Sequence, residues 1–152
     1  MKVLLLGSGG REHALAWKML QSPKLEKLYV APGNAGTGEI AENVNMMVND
    51  FRAIGDFIAE KGIDLLVVGP EDPLVGGVRD VLQADPRFEN LMIIGPGRDG
   101  AILEGSKDFA KMFMEKHGIP TARYMTVTSE NLSEGLDFLS ALKAPYVLKA
   151  DG

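Results

Sequence analysis

The sequence predicts an α/β protein: a parallel sheet with helices on both faces, followed by the first β-α-β of a second, incomplete lobe. Three observations carry that reading. Short apolar runs alternate with amphipathic stretches through the first hundred residues. The runs are apolar at nearly every position, as strands covered on both faces require. Three of them run directly into glycine, at Gly7, Gly69 and Gly95. In an open α/β sheet that is the edge where ligands lie, although glycine also simply ends strands.

Taken in order, residues 2–6 (KVLLL) read as a buried strand. Over residues 12–20, Leu15, Ala16, Met19 and Leu20 fall at helical spacing. Residues 28–31 give a second strand, closed by the turn Pro32-Gly33-Asn34, and residues 45–48 a weaker third. Asn49 or Asp50 caps a helix whose inner face is Phe51, Ile54, Phe57 and Ile58, ended by Gly62. Residues 65–68 are the clearest buried strand. Val75, Val78 and Leu82 mark a short helix, and residues 91–94 a further strand.

The pattern changes near residue 106. Ser106 caps a helix carrying Phe109, Met112, Phe113 and His117, ended by Gly118. Residues 124–127 then read as a strand, Ser129 as the cap of a helix bearing Leu132, Leu136, Leu139 and Leu142, and residues 145–149 as a last strand. A lone strand–helix–strand unit cannot cover both faces of its sheet, so the remainder of this lobe is expected to be missing. The expected division is a first domain over 1–105, a helix over 106–121 and an incomplete lobe over 122–152.

Composition narrows the chemistry. A length of 152 residues fits one domain, or one domain and part of another. The absence of cysteine removes disulfides, thiol nucleophiles and cysteine-based metal sites. A net charge of −5 argues against a nucleic-acid-binding face. No apolar run approaches the roughly 20 residues that span a membrane, and the N-terminus lacks the apolar stretch of a signal peptide. These features predict a cytoplasmic protein that handles a small molecule.

Four motifs are candidates for that work. Gly7-Ser8-Gly9-Gly10-Arg11-Glu12 lies between a strand and a helix, where backbone N–H groups and the helix dipole favour an anion and Arg11 can add a bidentate contact. A dinucleotide fingerprint would place glycine where Glu12 stands and an acid at the end of the second strand, which reads Val30-Ala31-Pro32. A sugar monophosphate, needing one anion pocket, fits better. Asn34 can serve a sugar hydroxyl, an amine or its own turn. Glu71, in Gly69-Pro70-Glu71-Asp72-Pro73, is held between prolines where it can meet ribose hydroxyls or an amine, with Asp72 available as a helix cap. Lys107, just inside its helix, and Lys149, on a buried strand, each need a counter-charge, either nucleotide phosphate or an acid such as Asp151. His13 reads as a packing or solvent-facing residue of the first helix, Trp17 as core, and the phenylalanines and methionines at 109 and 112–114 as core or interdomain packing.

These blocks together resemble one family. GSGGREHALAW at 7–17, APGNAGT at 31–37, GPEDPLVGGVRD at 69–80, LEGSKDFAKMFM at 103–114, IPTARY at 119–124 and PYVLKADG at 145–152 are similar to the amino-terminal part of the phosphoribosylamine–glycine ligases, which are ATP-grasp enzymes of purine synthesis. The resemblance implies a Rossmann-like pre-ATP-grasp substrate domain over 1–105, a linking helix over 106–121 and the opening of an ATP-grasp nucleotide lobe over 122–152. It implies ATP with Mg2+, and glycine and 5-phosphoribosylamine as partners, joined through a glycyl phosphate. It assigns Gly9, Gly10, Arg11, Glu12, Asn34 and Glu71 to the sugar-phosphate side, and Lys107 and Lys149 to nucleotide phosphate. The family's magnesium ligands and phosphate-covering loop are expected beyond residue 152, so this chain alone is expected to be inactive. A biotin-carboxylase-like segment and a non-catalytic nucleotide-binding module are the alternatives. The GREHA and GPEDPL blocks disfavour the first.

Overall fold

The computed structural model describes residues 1–151. The chain divides into two compact units, Met1–Ala101 and Ile102–Gly152.

In the first unit five parallel strands form one sheet in the order β3-β2-β1-β4-β5. They are β1 (Lys2–Gly7), β2 (Lys27–Pro32), β3 (Glu42–Asn43), β4 (Leu65–Val68) and β5 (Met92–Ile94). The central strand β1 pairs with β2 from Lys2↔Lys27 to Gly7↔Pro32 and with β4 from Val3↔Leu65 to Leu6↔Val68. Leu4, Leu5 and Leu6 are consequently buried on alternating faces. Leu4, Leu6 and Leu66 join Ile54, Ile58, Val78 and Leu82 in one core layer, while Val3, Leu5, Leu28, Val30 and Val67 join Ala16 in the other. The expectation of a parallel sheet buried on both faces thus holds.

The helices follow local signals. α1 (Gly10–Met19) buries Glu12 and Ala16. α3 (Phe51–Lys61) is capped by Asp50, whose carboxylate accepts from the Ala53 N–H at 3.0 Å, and ends at Gly62. The single short helix expected around Val78 is two pieces, α4 (Asp72–Gly76) and α5 (Val78–Gln83), because Gly77 adopts a φ of +91° that breaks the helix between them. α6 (Arg98–Gly105), absent from the sequence reading, begins where the Arg98 N–H donates to Asp80 at 2.9 Å.

Other expectations in this unit also change. Residues 35–40, given no element by the sequence pattern, form α2 (Ala35–Ile40). The third strand lies at Glu42–Asn43 rather than at 45–48. The Asn43 side-chain amide donates to the Asn34 carbonyl at 2.7 Å and its oxygen accepts from the Thr37 hydroxyl at 2.8 Å, which fixes the pairing there. Beyond the Val44 N–H, bonded to the Val30 carbonyl, the chain leaves the edge as a loop. Trp17, read as core, is 60% exposed on the outer side of α1, and Leu15 is also exposed.

In the second unit Ser106 caps α7 (Lys107–Lys116), its hydroxyl accepting from the Phe109 N–H at 3.1 Å. α8 (Leu132–Ser140) starts after Asn131, not Ser129. The Asn131 side chain accepts from the Thr128 N–H at 2.7 Å and donates to the Thr126 carbonyl at 3.1 Å, bracing the turn that precedes the helix. Residues 124–127 and 145–149 carry no strand ladder among the described residues, so the β-α-β expected here is a helix between two irregular segments. Val147 and Leu148 are exposed, as are Leu132 and Leu136. No second layer covers these side chains within the unit, and an uncovered strand pair is marginal in water. Phe109, Met112, Phe113 and Met114, expected as packing residues, include none that is buried.

Candidate functional site

Because the strands of the first sheet run parallel, the loops after β1, β2 and β4 meet at its carboxyl edge. Glu12 is the centre of that junction. Its residue is only 4% exposed. One carboxylate oxygen accepts from the Gly9 N–H at 2.7 Å, and the other accepts from the Arg11 Nε–H at 3.2 Å. A Cβ built on Gly7 would lie 2.5 Å from Glu12, and one on Gly69 2.4 Å from it. Both strand ends are therefore glycine to make room for this carboxylate. The near neighbour of those glycines, read from sequence as a ligand, is the chain's own side chain.

Arg11 is largely exposed and reaches Glu71, Nη2 to Oε2 at 3.8 Å. Asn34 is bound on every side of its amide. Its oxygen caps α2 by accepting from the Thr37 N–H at 2.9 Å, and its nitrogen donates to the carbonyls of Ser8 at 2.9 Å and Gly9 at 3.3 Å. The turn role left open by sequence is the one this side chain fills, and it ties the second loop to the first. Glu71 immediately precedes α4, and its side chain makes no cap bond. Asp72 is the first residue of α4, not its cap. Gly10 opens α1, with nothing within 4 Å of where a Cβ would stand. Gly9, Gly10, Arg11, Glu12, Asn34 and Glu71 are thus brought to one edge of one unit.

A cleft of about 440 Å³ lies beside this loop. Gly7, Gly9, Glu12, Pro32 and Pro70 form one wall and residues 45–49 the other. The sequence reading missed that second wall by making 45–48 a strand. The available signal was Asn45 and Asn49 bracketing the segment, polar turn-formers at both ends. His13 packs as expected, its ring 2.4 Å from where a Cβ on Gly36 would sit.

In the second unit Lys107 and Lys149 line one cleft of about 290 Å³, together with Lys111, Thr126 and Asp151. Lys149 is exposed and on no strand, so the burial argument made for it from sequence does not apply. Asp151 binds the start of α7, accepting from the Lys107 N–H at 2.6 Å, the Asp108 N–H at 3.1 Å and the Ser106 hydroxyl at 3.0 Å. These bonds, the Asp108 amide foremost, hold its carboxyl below the ordinary value. Tyr124 is raised, first by partial burial and then by the Glu115 carboxylate 3.3 Å away. Among the described residues no group of three or more His, Cys, Asp or Glu side chains gathers in the manner of a metal site. No described helix is long and apolar enough to cross a membrane.

Comparison with known proteins decides the family. Residues 1–104 match the model described as phosphoribosylglycinamide synthetase, N domain, and residues 105–152 match that of its ATP-grasp (A) domain. The chain belongs to the phosphoribosylglycinamide synthetase family. It is 48% identical over 152 residues to a phosphoribosylamine–glycine ligase of Ralstonia nicotianae, covering 100% of this chain and 35% of that protein. A ligase of the same name from Mesorhizobium japonicum is 51% identical over 152 residues, with 100% and 34% covered. The chain therefore spans about a third of the length of these phosphoribosylglycinamide synthetase relatives. The crystal structure of a phosphoribosylamine–glycine ligase from Thermotoga maritima superposes with a TM-score of 0.66 at 33% identity, covering 100% of this chain and 33% of that one. Family membership sets aside the biotin-carboxylase-like alternative.

Proposed function

We propose that this chain contributes the sugar-phosphate side of an ATP-dependent ligase that joins glycine to 5-phosphoribosylamine. In that reaction the glycine carboxylate takes the terminal phosphoryl group of ATP, giving glycyl phosphate and ADP. The sugar amine then attacks the acyl carbon, the C–O bond to phosphate breaks, and glycinamide ribonucleotide and phosphate leave. Residues 1–105 serve as the substrate domain, 106–121 as the linking helix, and 122–152 as the opening of the nucleotide lobe. The setting is the cytoplasm, and the oligomeric state is left open.

Within this reading the start of α1 binds the sugar phosphate, through the amides of Gly10 and Arg11 and the Arg11 guanidinium. Gly9 and Glu12 shape the turn, Asn34 ties it to the next loop, and Glu71 lies near enough to meet the ribose or its amine. Lys107 and Lys149 offset the charge of ATP phosphates. The ligation takes Mg2+ with its ATP. The observation that carries the reading is Arg11 at the first turn of α1, beside a cleft at the carboxyl edge of a parallel sheet, in a chain of this family.

Thermal unfolding with ligand tests it. Ribose 5-phosphate at about 100 times its dissociation constant stabilises the folded state by about 2.7 kcal/mol and raises the melting temperature. NAD leaves it unchanged, and Arg11→Ala weakens ribose 5-phosphate binding, so that a higher concentration is needed for the same shift. No shift in the unaltered chain contradicts the proposal.

A further inference from the structure

We propose that Glu12 is a positioning residue, a built-in anion that orients Arg11 and limits the turn to a single phosphoryl group. The inference rests on the sugar-phosphate reading above and assigns Glu12 a part in it that is not direct contact with the ligand.

The position needs volume, because Gly7, Gly9 and Gly69 all open toward it. An apolar side chain would fill that space with no charge to bury, and a buried carboxylate without partners is costly. Glu12 has two partners, and both belong to the phosphate-facing turn: the Gly9 N–H at 2.7 Å and the Arg11 Nε–H at 3.2 Å. The carboxylate thus consumes the first amide of the turn, leaving a ligand the N–H groups of Gly10 and Arg11. It also holds the Arg11 guanidinium by its inner edge, while Glu71 lies 3.8 Å from Nη2 on the other side. A guanidinium held at Nε keeps its terminal nitrogens for a ligand, the arrangement that favours bidentate binding of one phosphate. A second phosphoryl group approaching Gly9 would meet a carboxylate, so a sugar monophosphate is admitted and a pyrophosphate is not.

The test uses the 152-residue chain, ribose 5-phosphate as the probe, and the Arg11 Nε–H signal in 1H–15N spectra. Glu12→Gln preserves shape, but when its oxygen accepts from Gly9 its amide nitrogen faces the Arg11 Nε–H, donor against donor. The Nε–H signal should move and exchange faster with water, and ribose 5-phosphate should bind about tenfold more weakly. In an Arg11→Ala background the same change should cost less than about twofold, because Glu12 acts through Arg11. Should Glu12→Gln unfold the chain, Arg11→Lys supplies the second measurement. It keeps the charge on an exposed side chain but removes the Nε–H, and the same weakening is expected. An Nε–H signal indifferent to Glu12, losses that multiply in the double variant, or an Arg11→Lys chain that binds as well as the unaltered one overturns the proposal. An unaltered chain that ignores ribose 5-phosphate while its Arg11 Nε–H still depends on Glu12 sinks the ligand reading and upholds the coupling.

Discussion

The two units of this chain differ in how completely their apolar residues are covered. In the first, Leu4, Leu5, Leu6, Ile54, Leu66 and Leu82 are wholly or almost wholly buried between a sheet and its helices. In the second, Gly135 is the only buried residue among those described, and Leu148 is 87% exposed. Helices form in both, and each unit has one started by a polar cap, Asp50 for α3 and Ser106 for α7. Among the described residues strands form only in the first. A helix satisfies its backbone within one segment, whereas a strand needs a partner and a covered face. The contrast shows which features this sequence dictates locally and which wait on neighbours.

The largest effect should separate the units by packing. Leu66→Ala removes a fully buried side chain from the first core, and about 2–5 kcal/mol of stability should go with it. Leu136→Ala, at an exposed position of α8, should change stability by less than about 0.5 kcal/mol. Denaturant unfolding read separately in each unit checks both. Equal losses would mean that the second unit has a core of its own.

The smallest effect concerns Asp151. Its carboxyl titrates below its ordinary value of 3.8 because amides and a hydroxyl at the start of α7 bind the charged form. Such a group stabilises fully above the unfolded value, and the contribution is lost as pH falls through the lower folded value. The Lys107 and Asp108 amide signals should therefore hold steady down to about pH 4 and shift only in more acid solution. Asp151→Asn should flatten that titration. Shifts that persist unchanged in Asp151→Asn would assign the titration to another carboxylate.

Much of the first unit was legible because its strands are continuous apolar runs that end in turn residues. β4 matched its expected bounds, and β1, β2 and β5 differed by a residue or two. The third strand was not legible, since Asn43 side-chain bonds to Asn34 and Thr37 place the pairing, and no hydropathy pattern reports such contacts. Trp17 misled because a large aromatic on a helix is usually packed. The second unit's strands misled because apolar runs at 124–127 and 145–149 signal a strand only when something covers them. At the candidate site, sequence named loops that the parallel sheet brings to one edge, but not the arrangement within them. It read Gly7 and Gly69 as room for a ligand, and the room is taken by Glu12. It left Asn34 between two roles, and hydrogen bonds to Ser8, Gly9 and Thr37 occupy it.

The central claim is that the first turn of α1 grips one phosphoryl group. Titrating ribose 5-phosphate into the 15N-labelled chain while following backbone amides tests this most directly. The account predicts that Gly10 and Arg11 move most, Gly9 less because Glu12 already holds it, and the amides of α8 not at all. Saturable shifts centred anywhere else, with Gly10 and Arg11 still, would contradict it.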